Sequence, residues 1–175
     1  MRTEQRLDYI IITSPSSEAV AHTIKALQDK YVQLKIHQGK VHNYLGMVLD
    51  FSEAGYVHIN QTGMIQEITK SPGVRDLEAA VGAAVKKPKT PSHDKLFEHS
   101  EDSAPLPADL AKELHSITAK ILFIANRGRP DVITFISYMK KRVLAPTIED
   151  GRKLLRAISY MQETAKLDTN LASLP

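Results

Sequence analysis

Cysteine is absent from the 175-residue chain, which excludes disulfides, thiolate metal sites and a cysteine nucleophile. Long apolar runs are also missing. The longest, such as Tyr9 to Ile12 and Ile121 to Ala125, fall far short of the roughly 20 residues that span a bilayer, so no membrane association is expected. The opening MRTEQRLDY places charges where a secretory signal needs an apolar core, which predicts an intracellular protein, cytoplasmic or nuclear. GxGxxG, GxxxxGK[ST], GxSxG and HExxH do not occur, so dinucleotide, P-loop, esterase-type and zincin chemistry lack their usual sequence support. The seven histidines (His22, His37, His42, His58, His93, His99, His115) are scattered without an acidic partner at ligand spacing. His42 and His58 are the one pair that a strand arrangement would bring together.

Hydrophobic residues at 42% and charged residues at 25% are ordinary globular values and argue against disorder. Charge is uneven along the chain. Residues 1–85 hold eight Lys/Arg against nine Asp/Glu, whereas 86–175 hold fifteen against eleven. Within 120–156 nine basic residues face three acidic ones. Such a stretch attracts polyanions, and it is equally common on plain helical surfaces.

LDYIIIT (7–13) reads as a short buried strand, followed by a helix that Ser14 caps with Pro15 at the first helical position. Val20, Ile24, Leu27 and Tyr31 mark one face of that helix. QLKIH (33–37), VHNYLGMVLDF (41–51) and YVHI (56–59) then read as an antiparallel β-meander. In 41–51, alternation puts Val41, Asn43, Leu45, Met47, Leu49 and Phe51 on the core face and Gly46 on the other. Residues 63–71 suggest a short helix, and 72–106, with PG, KKPKTP and HSEDSAP, a linker or long loop. Three helices follow, over about 108–126, 130–143 and 147–164, the last capped by Thr147. The expected fold is α+β: a partial sheet domain over 1–71, a linker over 72–106 and a helical region over 107–175.

Two residues ask for an explanation. Gly46, midway along the best strand pattern, either permits a bulge or close packing, or lets another backbone or a ligand approach. Asp8, in an apolar strand, is either an exposed strand-end residue or a carboxylate held by a pairing or a metal.

Taken in order, these pieces resemble the reverse transcriptase of copia-type long-terminal-repeat retrotransposons, from the end of its palm through the thumb into the connection region. RLDYIIITS stands where the family has an aromatic, an apolar residue, two aspartates and an apolar run ending in Thr-Ser. Tyr44, Leu45 and Gly46 match its Y/F-L-G hairpin, and Asn60 and Gln61 its segment opening a helix. Thr90 and Pro91 match a Thr-Pro, Arg129, Pro130 and Asp131 an R-P-D triplet, and LLRAISYM an L-R-Y-L stretch.

The resemblance spans nearly the whole chain and implies an RNA-directed DNA polymerase segment whose 44–46 hairpin acts as a primer grip, with Tyr44 leaning on the sugar-phosphate backbone and Gly46 making room for it. It implies a primer-template of RNA or DNA as partner, possibly together with the rest of the polymerase, and magnesium as the family's cofactor. Lys86, Lys87, Lys89, Arg127, Arg129, Lys140, Lys141 and Arg142 are then the candidate phosphate contacts. The chain departs from the family at the catalytic pair: Asp8 takes the first position and bears the only remaining catalytic and metal-binding role, but Tyr9 replaces the second aspartate and Arg6 the leading aromatic. An earlier palm strand, the fingers and an RNase H domain are not expected in this chain. Two-metal phosphoryl transfer needs several carboxylates, so the expectation is a fragment or remnant, inactive alone and without a stably bound metal, retaining backbone binding. The rival expectation is a small protein–protein interaction module derived from such an element, and the third a metal-dependent hydrolase built on Asp8.

Overall fold

The computed structural model describes residues 10–31, 34–98, 100, 102–167 and 169–172. The fold is α+β, as expected, with six α-helices and a four-stranded antiparallel sheet in these residues.

Helix α1 (Ser17–Lys30) begins two residues later than expected. The Ser16 side chain accepts from the Ala19 N–H and makes the cap, while Ser14 accepts from the Ser16 N–H. Val20, Ile24, Leu27 and Tyr31 are only half-buried, and α1 buries no residue. The expected strand before it is not formed over 10–13, where Ile10 and Ile11 are 48% and 41% exposed; residues 7–9 lie outside the described residues. An apolar run becomes a strand only beside a partner edge, and among the described residues none pairs with 10–13. Residues 34–37 likewise form no strand, and Ile36 is exposed.

The sheet runs β1 (Val41–Tyr44), β2 (Met47–Asp50), β3 (Tyr56–Asn60), β4 (Thr169–Ala172), each antiparallel to the next. The stretch 41–51 is therefore a hairpin turning at 45–46, where the resemblance put one, and not the single strand that its alternation suggested. Leu45 and Gly46 both take positive φ, +49° and +80°, the signature of a two-residue type I′ turn. A two-residue turn resets the alternation: Tyr44 pairs with Met47 and His42 with Leu49, so His42 and Tyr44 join the apolar face while Val41, Asn43 and Leu45 are exposed. Met47, Leu49 and Ile59 form a small core of their own, flanked by Tyr44, Phe51, Val57 and Met64. The register places His58 opposite Asp50, on the other face from His42, so the two histidines do not meet.

The main core is helical. It draws Ile65 and Ile68 from α2 (Thr62–Thr69) and Val74, Leu77 and Val81 from α3 (Pro72–Val81). It continues with Leu114, Ile117, Ile121 and Ile124 from α4 (Ala108–Gly128), Phe135, Ile136 and Met139 from α5 (Ile133–Arg142), and Leu154, Leu155, Ile158 and Met161 from α6 (Ile148–Glu163). Side chains from 1–71, 72–106 and 107–175 thus share one core. Helix α3 lies inside the expected linker: Pro72 occupies the first turn, where its missing N–H costs nothing, and Val74, Leu77 and Val81 form a buried stripe. The rest of that stretch is a strap bound to α6. Arg152 Nε donates to the Val81 carbonyl at 2.9 Å, Ser159 Oγ to that of Val85 at 2.9 Å, and Lys153 Nζ to that of Leu96 at 3.1 Å. Helix α6 carries the expected Thr147 cap as a full capping box with Asp150. Among the described residues no helix is long and apolar enough to cross a membrane.

Candidate nucleic-acid interface

The β1–β2 hairpin projects its turn outward. Leu45 is 40% exposed and Gly46 is exposed, whereas Tyr44 is half-buried against the small core. Helix α2 supports the tip from beneath: a Cβ on Gly46 would lie 3.0 Å from Met64 Sδ. A leucine in the left-handed region costs about 1–2 kcal/mol relative to residues suited to it, so Leu45 is held in a strained, solvent-facing position. Gly46 serves the turn itself: the side where its Cβ would stand is filled by Met64, and the rest of the residue is exposed. Asp8, the expected catalytic and metal-binding residue, lies outside the described residues. Among the described residues no group of three or more His, Asp or Glu side chains is placed to hold a metal ion.

Two of the eight expected phosphate contacts are engaged within the fold. Arg129 is buried at 2% exposure. Its Nε and Nη2 donate to the two Asp131 carboxylate oxygens at 2.9 and 2.7 Å, and its remaining bonds run to the Thr164 carbonyl and hydroxyl at 3.1 and 2.7 Å. The guanidinium is committed inside the fold, which removes Arg129 from the phosphate-contacting set. Arg142 is half-buried and paired with the buried Asp150 carboxylate at 3.1 Å; that hydrogen bond raises the Arg142 pKa further above its ordinary value. Its first partner is thus the capping box of α6, not a phosphate. Lys86, Lys87 and Lys89 are exposed on the strap, Lys140 and Lys141 in the last turn of α5, and Arg127 at the end of α4, where its guanidinium stacks 3.6 Å from the Phe123 ring centroid. These six remain presented to solvent.

Around the R-P-D triplet, Tyr160 Oη also donates to Asp131, at 2.9 Å. Burial works to raise the Asp131 pKa, but the bonds from Arg129 and Tyr160 outweigh it and hold the carboxyl below its ordinary range. The same burial and the Asp131 carboxylate push the Tyr160 hydroxyl up. This network ties the end of α4 to the end of α6, and α2 and β4 join it there: Thr62 Oγ1 donates to the Ala165 carbonyl at 2.6 Å and Thr169 Oγ1 to that of Gly128. Sequence reasoning found the triplet without its partners, Tyr160 and Thr164. Their spacing of four, from the last turn of α6 to its C-cap, which puts them on one side of the helix end, was the available signal.

On the polar face of the sheet His58 contacts Asn170 Oδ1 through Nδ1 at 2.7 Å and Glu53 Oε2 through Nε2 at 2.8 Å. The bonds to Asn170 and Glu53 raise its pKa above the ordinary histidine value. Ser52 lowers that of Asp50 by donating to it.

Set against known proteins, the chain matches no family model, no curated sequence and no solved structure.

Proposed function

We propose that this chain is a segment derived from a copia-type reverse transcriptase, the end of its palm with thumb and connection, and that it binds the sugar-phosphate backbone of a primer-template through the β1–β2 hairpin. The observation that carries this reading is the hairpin tip: the Tyr44-Leu45-Gly46 triplet that prompted the resemblance sits on a supported, exposed turn, with a leucine kept where asparagine would be unstrained. Lys86, Lys87, Lys89, Lys140, Lys141 and Arg127 supply the exposed positive charge, and their contacts are independent of base sequence. With Tyr9 in place of the second aspartate, the segment by itself does not polymerise; magnesium belongs to the intact family's two-metal chemistry. Fluorescence anisotropy of a labelled primer-template duplex tests the reading. Neutralising three phosphates predicts affinity falling roughly fiftyfold between about 50 and 200 mM salt, and a flat response contradicts it.

A second reading, a protein-interaction module descended from the same element, draws on the exposed Ile10 and Ile11 and on α1, which buries nothing. It predicts association that tolerates salt and is lost on Ile10→Asp with Ile11→Asp, leaving duplex binding intact.

A further inference from the structure

We propose that the cleft between Phe97 and the α5 face of Thr134, Ser137, Tyr138 and Lys141 holds an unpaired nucleotide strand, one base stacked on the Phe97 ring and a neighbouring phosphate on Lys141. The inference rests on the nucleic-acid reading above and specifies a single-stranded ligand at a second place.

Phe97 is 69% exposed although Leu96 beside it is buried. Both flanking peptide groups are fixed: Lys153 Nζ donates to the Leu96 carbonyl at 3.1 Å and the Glu98 N–H donates to the Lys95 carbonyl at 3.2 Å, while Lys153 also donates to the Glu98 carbonyl and pairs with Glu149 at 3.0 Å. The ring meets Tyr138 edge-to-face, with centroids 5.8 Å apart and planes at 80°. A loop free to rearrange would bury such a ring; this one is anchored so that it stands in solvent beside a shallow, mainly apolar cleft whose lining adds Ile133, the hydroxyls of Thr134, Ser137 and Tyr138, and the Lys141 ammonium. Lys141 is exposed and has no ion-pair partner among the described residues. Among the described residues Glu98 pairs with Lys95 at 3.4 Å and Glu149 with Lys153 at 3.0 Å, so neither is the partner of Lys141, which is left to meet an anion.

An aromatic face with an adjacent cation suits a flat base followed by a phosphate. A duplex keeps its bases stacked inside and offers none to Phe97. An acidic peptide would satisfy Lys141 and leave the ring face unused.

The chain contains no tryptophan, so Phe97→Trp in the full chain places a single indole reporter at the cleft, its fold checked by circular dichroism. Oligothymidylate is expected to quench its emission, whereas an abasic oligomer of equal length and a polyglutamate peptide leave it largely unchanged. Phe97→Ala in the otherwise native chain is expected to weaken oligothymidylate binding about tenfold while leaving primer-template duplex affinity within about twofold, and Lys141→Glu to weaken oligothymidylate binding about tenfold with a smaller loss for the duplex. Equal quenching by the abasic oligomer or the peptide, or none by oligothymidylate, overturns the proposal. If the native chain binds duplex but not oligothymidylate, only this inference fails; if it binds neither, the proposed function fails with it.

Discussion

Arg129 and Asp131, separated by Pro130, clasp each other through two parallel bonds of 2.9 and 2.7 Å, and Tyr160 and Thr164 complete the network from α6. Removing one member of a buried pair strands the other. The Asp131 side chain is 33% exposed, so Asp131→Ala is expected to cost about 2 kcal/mol, below the roughly 3–5 of a fully buried pair. Urea unfolding of the two proteins measures the difference.

The same carboxylate fixes an acid response. Its pKa is depressed in the fold, so the stability it contributes is present above the unfolded value near about 3.9 and is lost as pH falls through the lower folded value. Melting temperature measured down through this window should fall more steeply for the native chain than for Asp131→Asn.

His58 works in the opposite sense. Its folded pKa is raised by Asn170 and Glu53, so the stabilisation is complete below about 6.5 and is lost as pH rises through the folded value. Because Asn170 belongs to β4 and Glu53 to the β2–β3 turn, protection of the β4 amides, corrected for the intrinsic base-catalysed rise in exchange, should fall across that rise. His58→Ala should remove this fall in protection.

How far the sequence could be read depended on whether a feature was local. Helices α4, α5 and α6 were legible because their apolar residues recur at helical spacing, and the α6 start because Thr147 and its box lie within four residues. Strand β4 was not legible: TNLA has no run of β-formers and becomes a strand only against β3. Alternation alone did not show the hairpin, because Leu-Gly stands where Asn-Gly would announce a type I′ turn, and only the resemblance placed one at 44–46; α3 was hidden because Pro-Gly at its start reads as a turn. The phosphate-contact list failed at Arg129, since nothing in a basic run tells a buried guanidinium from a solvated one. The role of Asp8 lies outside the described residues.

Gly128 packs against Gln61, whose buried side-chain amide has no hydrogen-bond partner among the described residues. A Cβ at Gly128 would come within 2.6 Å of Gln61 Oε1. Gly128→Ala is therefore expected to destabilise by about 1–3 kcal/mol, and by clearly less in a Gln61→Ala background; a double-mutant cycle reads the coupling.

The hairpin tip can be relaxed without altering its position. Leu45→Asn, suited to positive φ, should stabilise the fold by about 0.5–1 kcal/mol, and Gly46→Val should destabilise it by about 1–2. Thermal melts compare them.

Crosslinking at the turn tests the account's central claim, that the Leu45–Gly46 tip meets a nucleic-acid backbone. A benzophenone crosslinker is installed in place of Leu45 and, as a control, in place of Leu171, which is 52% exposed on β4. Irradiation with a labelled primer-template should attach the tip preferentially to nucleotides at the primer terminus. Equal labelling from both positions, or none from the tip, would contradict the account.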